Sequence, residues 1–396
     1  MTGVVDVVGV GADGWDGLTP RAQRAIAGAE VLFGSERQLG LVDSSAENVV
    51  WPKPLLPHLS GLLLRYADRR RCVLASGDPM FHGIGATLSR ILGPGNLNII
   101  PAPSSASLAC ARLGWALADV HVVSLVSDPA ETLIPELSPG RRLLVLSRNE
   151  FTPAWVAGML TEHGFGESQL IVLGQLGGPE ESVTIGFASR WTTESADPLN
   201  IIAIECAGSG GYSRAPGLPD AVFGTHGQFT KQEVRALTLS ALAPRPGELL
   251  WDVGGGSGSI AIEWLRFDPS TSAIAFEMHP GRAGQIPLNA QRLGVPRIVR
   301  RGKAPAAFDD APDPDAIFVG GGLTQEGLFE ACWSRLKPNG RLVANAVTGE
   351  TEAVLMTWLA RHGGTLRRFQ IYRGEPLGGF TAFRPMLPIT QWIATK

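Results

Sequence analysis

Glu248-Leu-Leu-Trp-Asp-Val-Gly-Gly-Gly-Ser-Gly-Ser-Ile-Ala-Ile-Glu-Trp-Leu265 sets an apolar strand, a glycine-rich turn and a helix end to end. The strand is expected over Glu248 to Val253 and the helix over Ile260 to Leu265. Between them Gly254, Gly256 and Gly258 give the spacing G-x-G-x-G. Without Cβ atoms the backbone can turn sharply and lie against a ligand at the C-terminal edge of a strand, where open α/β sheets bind. A dinucleotide fingerprint, G-x-G-x-x-G, would need its third glycine at 259, and that position is Ser259. Asp252, just before the loop, can accept a hydrogen bond or offset a positive ligand, which suits a sulfonium better than a diphosphate. Glu277 ends the next strand nineteen residues after Gly258, where an acidic side chain can take both hydroxyls of a ribose. A glycine loop alone reads equally as a plain turn; strand, loop, helix and acid together point to adenosine.

Outward from this motif the pattern stays regular. Strands are expected at Ala273 to Phe276, Arg297 to Arg300, Ala316 to Val319, Arg341 to Ala346, Leu366 to Tyr372 and Ile389 to Ala394, with helices between the first five strands of the series. Such a succession makes a doubly wound, mostly parallel sheet. Upstream, Gly208-Ser-Gly-Gly-Tyr-Ser-Arg-Ala-Pro-Gly-Leu-Pro219 can sustain neither helix nor strand ladder, which marks 208–219 as a linker between domains 1–207 and 220–396. Before the seam, short β-branched runs (Val4 to Val10, Arg71 to Ala75, Leu97 to Ile100, Arg142 to Leu146, Leu170 to Leu173, Leu199 to Glu205) alternate with helical spacing, again an α/β pattern. Thr19 and Pro20 read as N-cap and first residue of the helix Pro20 to Ala29.

The chain has 396 residues, more than one hydrophobic core usually supports. Its 34 basic and 37 acidic residues give a net charge of −3, without the basic excess of a non-specific nucleic-acid binder. Residues 1–219 carry 15 basic and 21 acidic groups, so the surplus of cations lies in the second half, the expected holder of an anionic ligand. Cys72, Cys110, Cys206 and Cys332 are too far apart in sequence for a CxxC pair and read as buried thiols, with no metal site. No apolar run reaches the length of a membrane span, and a soluble cytoplasmic protein is expected.

Residues 218–396 resemble the class I S-adenosylmethionine methyltransferases, in particular the decarboxylating precorrin C-15 methyltransferases. The resemblance rests on Gly217-Leu-Pro-Asp-Ala-Val-Phe223, Phe229-Thr-Lys-Gln-Glu-Val-Arg235, the Asp252 loop, Val319-Gly-Gly-Gly322 and Leu336-Lys-Pro-Asn-Gly-Arg-Leu-Val343. It implies that Thr230, the glycine loop, Glu277, the backbone of Gly302, Lys303 and Ala304, and Gly320 surround the cofactor. Lys303 stands where that family usually has an acid. Enzymes that methylate base amino groups usually carry Asn/Asp-Pro-Pro-Tyr/Phe after the fourth strand; here the chain reads Gly320-Gly-Gly-Leu323, which favours a carbon acceptor.

In the first half Val8-Gly-Val-Gly-Ala-Asp-Gly14 matches G-x-G-x-x-G, yet Trp15-Asp-Gly-Leu18 separates it from the helix start, so no helix N-terminus can hold a pyrophosphate there. Taken with Leu74-Ala-Ser-Gly-Asp-Pro-Met-Phe-His-Gly-Ile-Gly85 and Pro101-Ala-Pro-Ser-Ser-Ala-Ser-Leu108, the segment 4–206 resembles the tetrapyrrole methylases of the class III fold, the precorrin C-5 methyltransferases among them. The resemblance implies two α/β lobes with the cofactor between them, held by Gly77, Asp78, Ile84, Ser104 and Ser105, and a Gly9 to Gly14 loop (Gly9, Gly11, Asp13) facing the tetrapyrrole. Val123-Ser-Leu-Val-Ser-Asp128 replaces a common Ser-Leu-His-Gly-Arg, which makes Arg148 a candidate for gripping a substrate carboxylate. His82 and His226 lie in motif segments and read first as hydrogen-bonded structural residues, with His226 kept as a substrate-binding candidate.

Two methyltransferase folds in one chain imply one substrate methylated twice. The resemblances imply two S-adenosylmethionine molecules per chain, an anionic precorrin methylated at C-5 and C-15, and loss of carbon dioxide from the ring-C acetate. No catalytic side chain is assigned, because the electron-rich macrocycle supplies the nucleophile. A homo-oligomer is expected, without nucleic acid or membrane. The rival readings are an RNA methyltransferase and a non-catalytic S-adenosylmethionine-binding scaffold.

Overall fold

The computed structural model describes residues 3–224 and 229–396. It divides into two compact units: the chain up to Asp128 with Leu137–Gly210, and Pro129–Glu136 with Gly211–Lys396.

The first unit contains two five-stranded sheets. One runs Glu47–Val50, Val31–Gly34, Arg71–Ser76, Val5–Val10, Leu97–Ile100, all neighbours parallel. Alternate side chains of its central strands enter opposite cores, Val8, Val10, Leu32 and Leu74 on one face and Val5, Val7, Phe33 and Val73 on the other. Burial on both faces is why these runs read as continuously apolar. The second sheet runs His121–Ser124, Arg142–Leu146, Asn200–Glu205, Gln169–Gly174, Ser182–Phe187 and is mainly antiparallel. Four strands of the unit, Val31–Gly34, Glu47–Val50, His121–Ser124 and Ser182–Phe187, are absent from the sequence expectation; the first three have only four residues, and Glu47–Val50 and Ser182–Phe187 are edge strands with largely exposed side chains. The first helix, Pro20–Ala27, is capped as expected, the Thr19 hydroxyl accepting from the Ala22 amide at 3.3 Å.

The second unit is built on a seven-stranded sheet in the order Val299–Arg301, Ser272–Phe276, Leu249–Val253, Ala316–Val319, Arg341–Ala346, Ile389–Thr395, Thr365–Phe369. The first five strands are parallel and Ile389–Thr395 runs against both its neighbours. Trp251, Ile274, Ile317 and Leu342 pack on one face; Leu250, Ala273, Ala316 and Val343 pack on the other, the doubly wound arrangement expected. Two expectations are corrected. No helix forms between Val299–Arg301 and Ala316–Val319; the link makes only turns such as Ala307 N–H to the Lys303 carbonyl at 3.0 Å. Pro305, Pro312 and Pro314 remove the amides a helix there would need. The expected strand Leu366 to Tyr372 splits, Thr365–Phe369 joining the sheet and Tyr372–Leu377 pairing with Phe380–Pro385 in a separate hairpin closed by Gly378 and Gly379.

A buried ion cluster explains two of the sequence motifs. Arg235 is fully buried and donates to Glu263 (2.7 Å), Asp220 (3.1 Å) and the carbonyls of Thr230 (2.5 Å) and Leu218. Glu263 in turn accepts from the Gly217 and Leu218 amides at 2.7 and 2.9 Å. Segments 217–223 and 229–235 are thereby fastened to the helix that follows the glycine loop, with every polar atom of the pair engaged, as buried charge demands. Pro129–Glu136 belongs to the same unit: buried Glu136 pairs with Arg214, and Gln291 donates to Glu131 at 2.8 Å. All four cysteines are buried free thiols. Among the described residues no helix is long and apolar enough to cross a membrane.

Candidate functional sites

In the second unit the C-terminal edges of the parallel strands surround a cavity of about 700 Å³. Thr230, Asp252, Gly254, Gly256, Glu277, Lys303, Ala304 and Gly320 all line it, so residues distant in sequence meet there; Gly302 and Gly258 do not. The loop glycines have φ of +74°, +57° and +82° at 254, 256 and 258, a region L-residues with side chains rarely adopt. They serve different ends. A Cβ on Gly254 would stand 2.8 Å from the Gly321 amide, one on Gly258 would press on Ile286, and one on Gly256 would meet no protein atom within 4 Å and project into open space.

The loop is fixed by acids at both ends. The Asp252 carboxylate is buried at the start of helix Ser259–Phe267, and its Oδ2 accepts from the Ala261 amide at 3.1 Å. Its Oδ1 has no partner. Burial pushes its pKa up to about 7, opposed by the Ala261 amide and assisted by the negative Glu277. A buried carboxylate with an idle oxygen on a cavity wall is costly unless a donor or cation arrives. Glu277 is more engaged than the sequence suggests: Oε2 accepts from the Gly256 amide (2.9 Å), Oε1 accepts from the His279 amide (2.7 Å), and Arg282 lies 3.3 Å from Oε1. It holds the glycine loop as well as facing the cavity, and Oε2 retains a lone pair for a hydroxyl. These acceptor oxygens fit an adenosine ligand with a cationic sulfur.

Three polar cavity residues escape the sequence reading. Arg282 lies in the first turn of the helix Pro280–Arg292 that follows Glu277. Gln325 donates from Nε2 to the Ala304 carbonyl at 3.1 Å, tying the loops after the third and fourth strands together. Asn345 ends the fifth strand and is held by Thr238 (2.9 Å) and Gln391 (2.8 Å). Only side-chain geometry reveals these; nothing in their local sequence forms a motif.

In the first unit Gly77 abuts the start of helix Ser105–Leu113: a Cβ there would lie 3.1 Å from the Pro103 carbonyl and 3.6 Å from Ser104 Cα. Ser104 caps that helix, accepting from the Ser107 amide at 3.1 Å, and Ser105 is its first residue. Asp78 accepts from the Met80 amide at 2.8 Å, and Gly83 and Gly85 close over the Pro79 carbonyl at the start of the helix that Ile84 opens. The five residues expected around a cofactor thus occupy two touching loops. Gly9 packs between them, its missing Cβ replaced by the Gly77 carbonyl and the Ala102 amide. Gly11 and Asp13 form the turn that follows, with the Asp13 carboxylate filling the space a side chain on Gly11 or Gly17 would take. The turn leads into a 3-10 segment, Gly14–Gly17, rather than a helix N-terminus.

Arg148 donates to the carbonyls of Leu125 (3.2 Å) and Asp128 (2.8 Å), so it braces the atypical 123–128 segment. His82, expected to be a partly exposed, hydrogen-bonded residue, is exposed and stacks edge-on against Phe81 at 4.9 Å. His226 lies outside the described residues.

The sequence pattern of the precorrin methyltransferase domain matches residues 221–396, and that of the tetrapyrrole (corrin/porphyrin) methylases matches residues 4–190. The chain is 49% identical over 398 residues to a Mycobacterium tuberculosis protein named precorrin-6Y C(5,15)-methyltransferase [decarboxylating], covering 99% of this chain and all of that one. It is 48% identical over 396 residues to a Sinorhizobium protein of the same name, covering 98% of this chain and 96% of the relative. A Salmonella typhimurium protein named cobalt-precorrin-6B C(15)-methyltransferase (decarboxylating) is 34% identical over 41% of this chain and 85% of its own.

Proposed function

The chain belongs to the precorrin-6Y C(5,15)-methyltransferase (decarboxylating) family, and from that premise we propose how its two units divide the reaction. It is an S-adenosylmethionine-dependent methyltransferase of cobalamin biosynthesis, and its reaction includes a decarboxylation. Domain 1–207 methylates C-5 and domain 220–396 methylates C-15 and decarboxylates, with 208–219 as the linker. Each domain holds one S-adenosylmethionine, so two bind per chain. A relative named for the C-15 step and decarboxylation alone, and matching less than half of this chain, supports the split.

The observation that carries the reading is the idle Asp252 oxygen on the wall of a cavity built by the glycine loop. S-adenosylmethionine supplies a methyl group on a positively charged sulfur. Asp252 stabilises positive charge beside the loop, Gly256 keeps the space open, and Glu277 offers its free lone pair to a ribose hydroxyl. Lys231, Arg282 and Lys303 also line the cavity and attract the carboxylates of an anionic macrocycle. The acceptor is a carbon of the conjugated ring system, which is itself the nucleophile, so the residues act by positioning rather than as a strong base. In the decarboxylation the bond between the acetate carboxyl and its CH2 breaks, the electron pair passes into the macrocycle, carbon dioxide leaves, and a proton from water completes the methyl group left behind. The enzyme works in the cytoplasm as a homo-oligomer without nucleic acid, in keeping with reduced buried thiols and a net charge of −3.

Incubation with the reduced precorrin-6 macrocycle and methyl-labelled cofactor tests the reading. Two labels per macrocycle with release of carbon dioxide are expected. Label on added RNA would favour the nucleic-acid rival, and cofactor binding without transfer to any acceptor would favour a scaffold.

A further inference from the structure

Arg37 sits at the C-terminal edge of the first parallel sheet, in the short helix Glu36–Gly40 that follows strand Val31–Gly34. Its guanidinium is half-buried, and burial draws its pKa below the usual arginine range. Among the described residues it has no carboxylate within ion-pair distance; its hydrogen-bond acceptor is the neutral Ser76 hydroxyl, at 2.8 Å from Nη2. Asp197 raises the pKa only through space and is already engaged, by Gln175 Nε2 at 3.2 Å from both oxygens and by the Leu199 amide at 2.7 Å. A cation partly withdrawn from water with only a neutral partner is an unfinished arrangement.

Ser76 completes it. Its Oγ accepts from Arg37 and also from Gln38 Nε2 at 3.1 Å, and Gln38 is itself locked by a capping box with Ser35. Both lone pairs of the hydroxyl are used, so its proton can only be donated outward. Ser76 lies beside Val10 in the sheet register, between the Gly9 to Gly14 loop and Gly77. Two donors, one charged, thus converge where both ligands of this unit are expected.

We infer that Arg37 and Ser76 form a carboxylate-binding pair for the first unit. The inference rests on the proposed function, which supplies two sources of carboxylate: the side chains of the macrocycle and the amino-acid end of S-adenosylmethionine. The pair grips one of them, and Arg148, occupied with the 125–128 backbone, does not.

The test is position-resolved kinetics on the full chain, with C-5 and C-15 methylation quantified separately. Arg37→Gln is expected to raise the KM of the C-5 transfer for the macrocycle about tenfold or more, with kcat little changed, because a hydrogen bond to a charged group is lost. Arg37→Lys recovers part of the effect, Ser76→Ala gives a smaller rise, and C-15 transfer is the internal control. A rise in KM for S-adenosylmethionine instead assigns the pair to the cofactor's carboxylate. Unchanged KM for both ligands in an Arg37→Gln chain that melts like the wild type overturns the inference. A wild-type chain that methylates C-15 but never C-5 overturns the proposed division of labour instead, and the pair's role with it.

Discussion

The two glycine loops, Gly9 to Gly14 and Gly254 to Gly258, look alike in sequence and do opposite things in the fold. Each follows the first strand of a parallel sheet. In the second unit the loop runs straight into a helix, an acid stands under it, and the Cβ that Gly256 lacks leaves open space. In the first unit a 3-10 turn intervenes, and the Cβ that Gly9 lacks leaves room for backbone, 2.0 Å from where a methyl carbon would sit. Gly256 leaves space that a ligand can take, whereas Gly9 lets backbone pack on backbone. The residues around the loop decide which, and a glycine pattern alone does not.

The largest expected effect comes from breaking the packed loop. Gly9→Ala forces carbon into the Gly77 carbonyl, and the loops holding Asp78 and Ser104 must part; thermal denaturation should show a loss of several kcal/mol in the first unit, on the scale of core overpacking or above. Next, Gly256→Val should abolish cofactor binding in the second unit, a loss of about a hundredfold or more, because the new side chain occupies ligand space in a strained φ of +57°. Calorimetry that finds unaltered affinity would remove Gly256 from the site.

Asp252→Asn should weaken cofactor binding by about tenfold and yet stabilise the ligand-free chain at neutral and higher pH. The sign follows from its pKa, raised from 3.8 to about 7 by burial. The folded state holds the proton more tightly than the unfolded state, so the Asp252 contribution to stability is most favourable below about pH 4 and is lost as the pH rises toward 7. Melting temperatures of the wild type should carry this slope and those of Asp252→Asn should lack it; parallel curves would show that Asp252 stays charged throughout. The smallest effect is expected at Arg148→Gln, about 1 kcal/mol or less of stability, with KM for the macrocycle unchanged, since its hydrogen bonds go to backbone carbonyls.

Much of the second unit was legible because short apolar runs bounded by turn residues mark strands buried on both faces: Ala316–Val319 and Arg341–Ala346 fall where those runs lie. The turns of 302–315 were misread as a helix, although three prolines argued otherwise. Edge strands such as Glu47–Val50 left no alternation to read, since both their faces are largely exposed. Within the site, glycines and acids announce themselves through spacing, whereas Gln325 and Asn345 matter only through hydrogen bonds to residues 21 and 107 positions away. Arg37 belongs to this second kind, visible only once Ser76 is beside it.

We propose that both units bind S-adenosylmethionine and that only in the second does a loop glycine, Gly256, leave open space for it. Titration calorimetry of the full chain with S-adenosylmethionine, on the wild type and on Gly256→Val, tests it most directly. Two sites per chain in the wild type and one in the variant are predicted. One site in the wild type, or loss of both in a variant that remains folded, would contradict it.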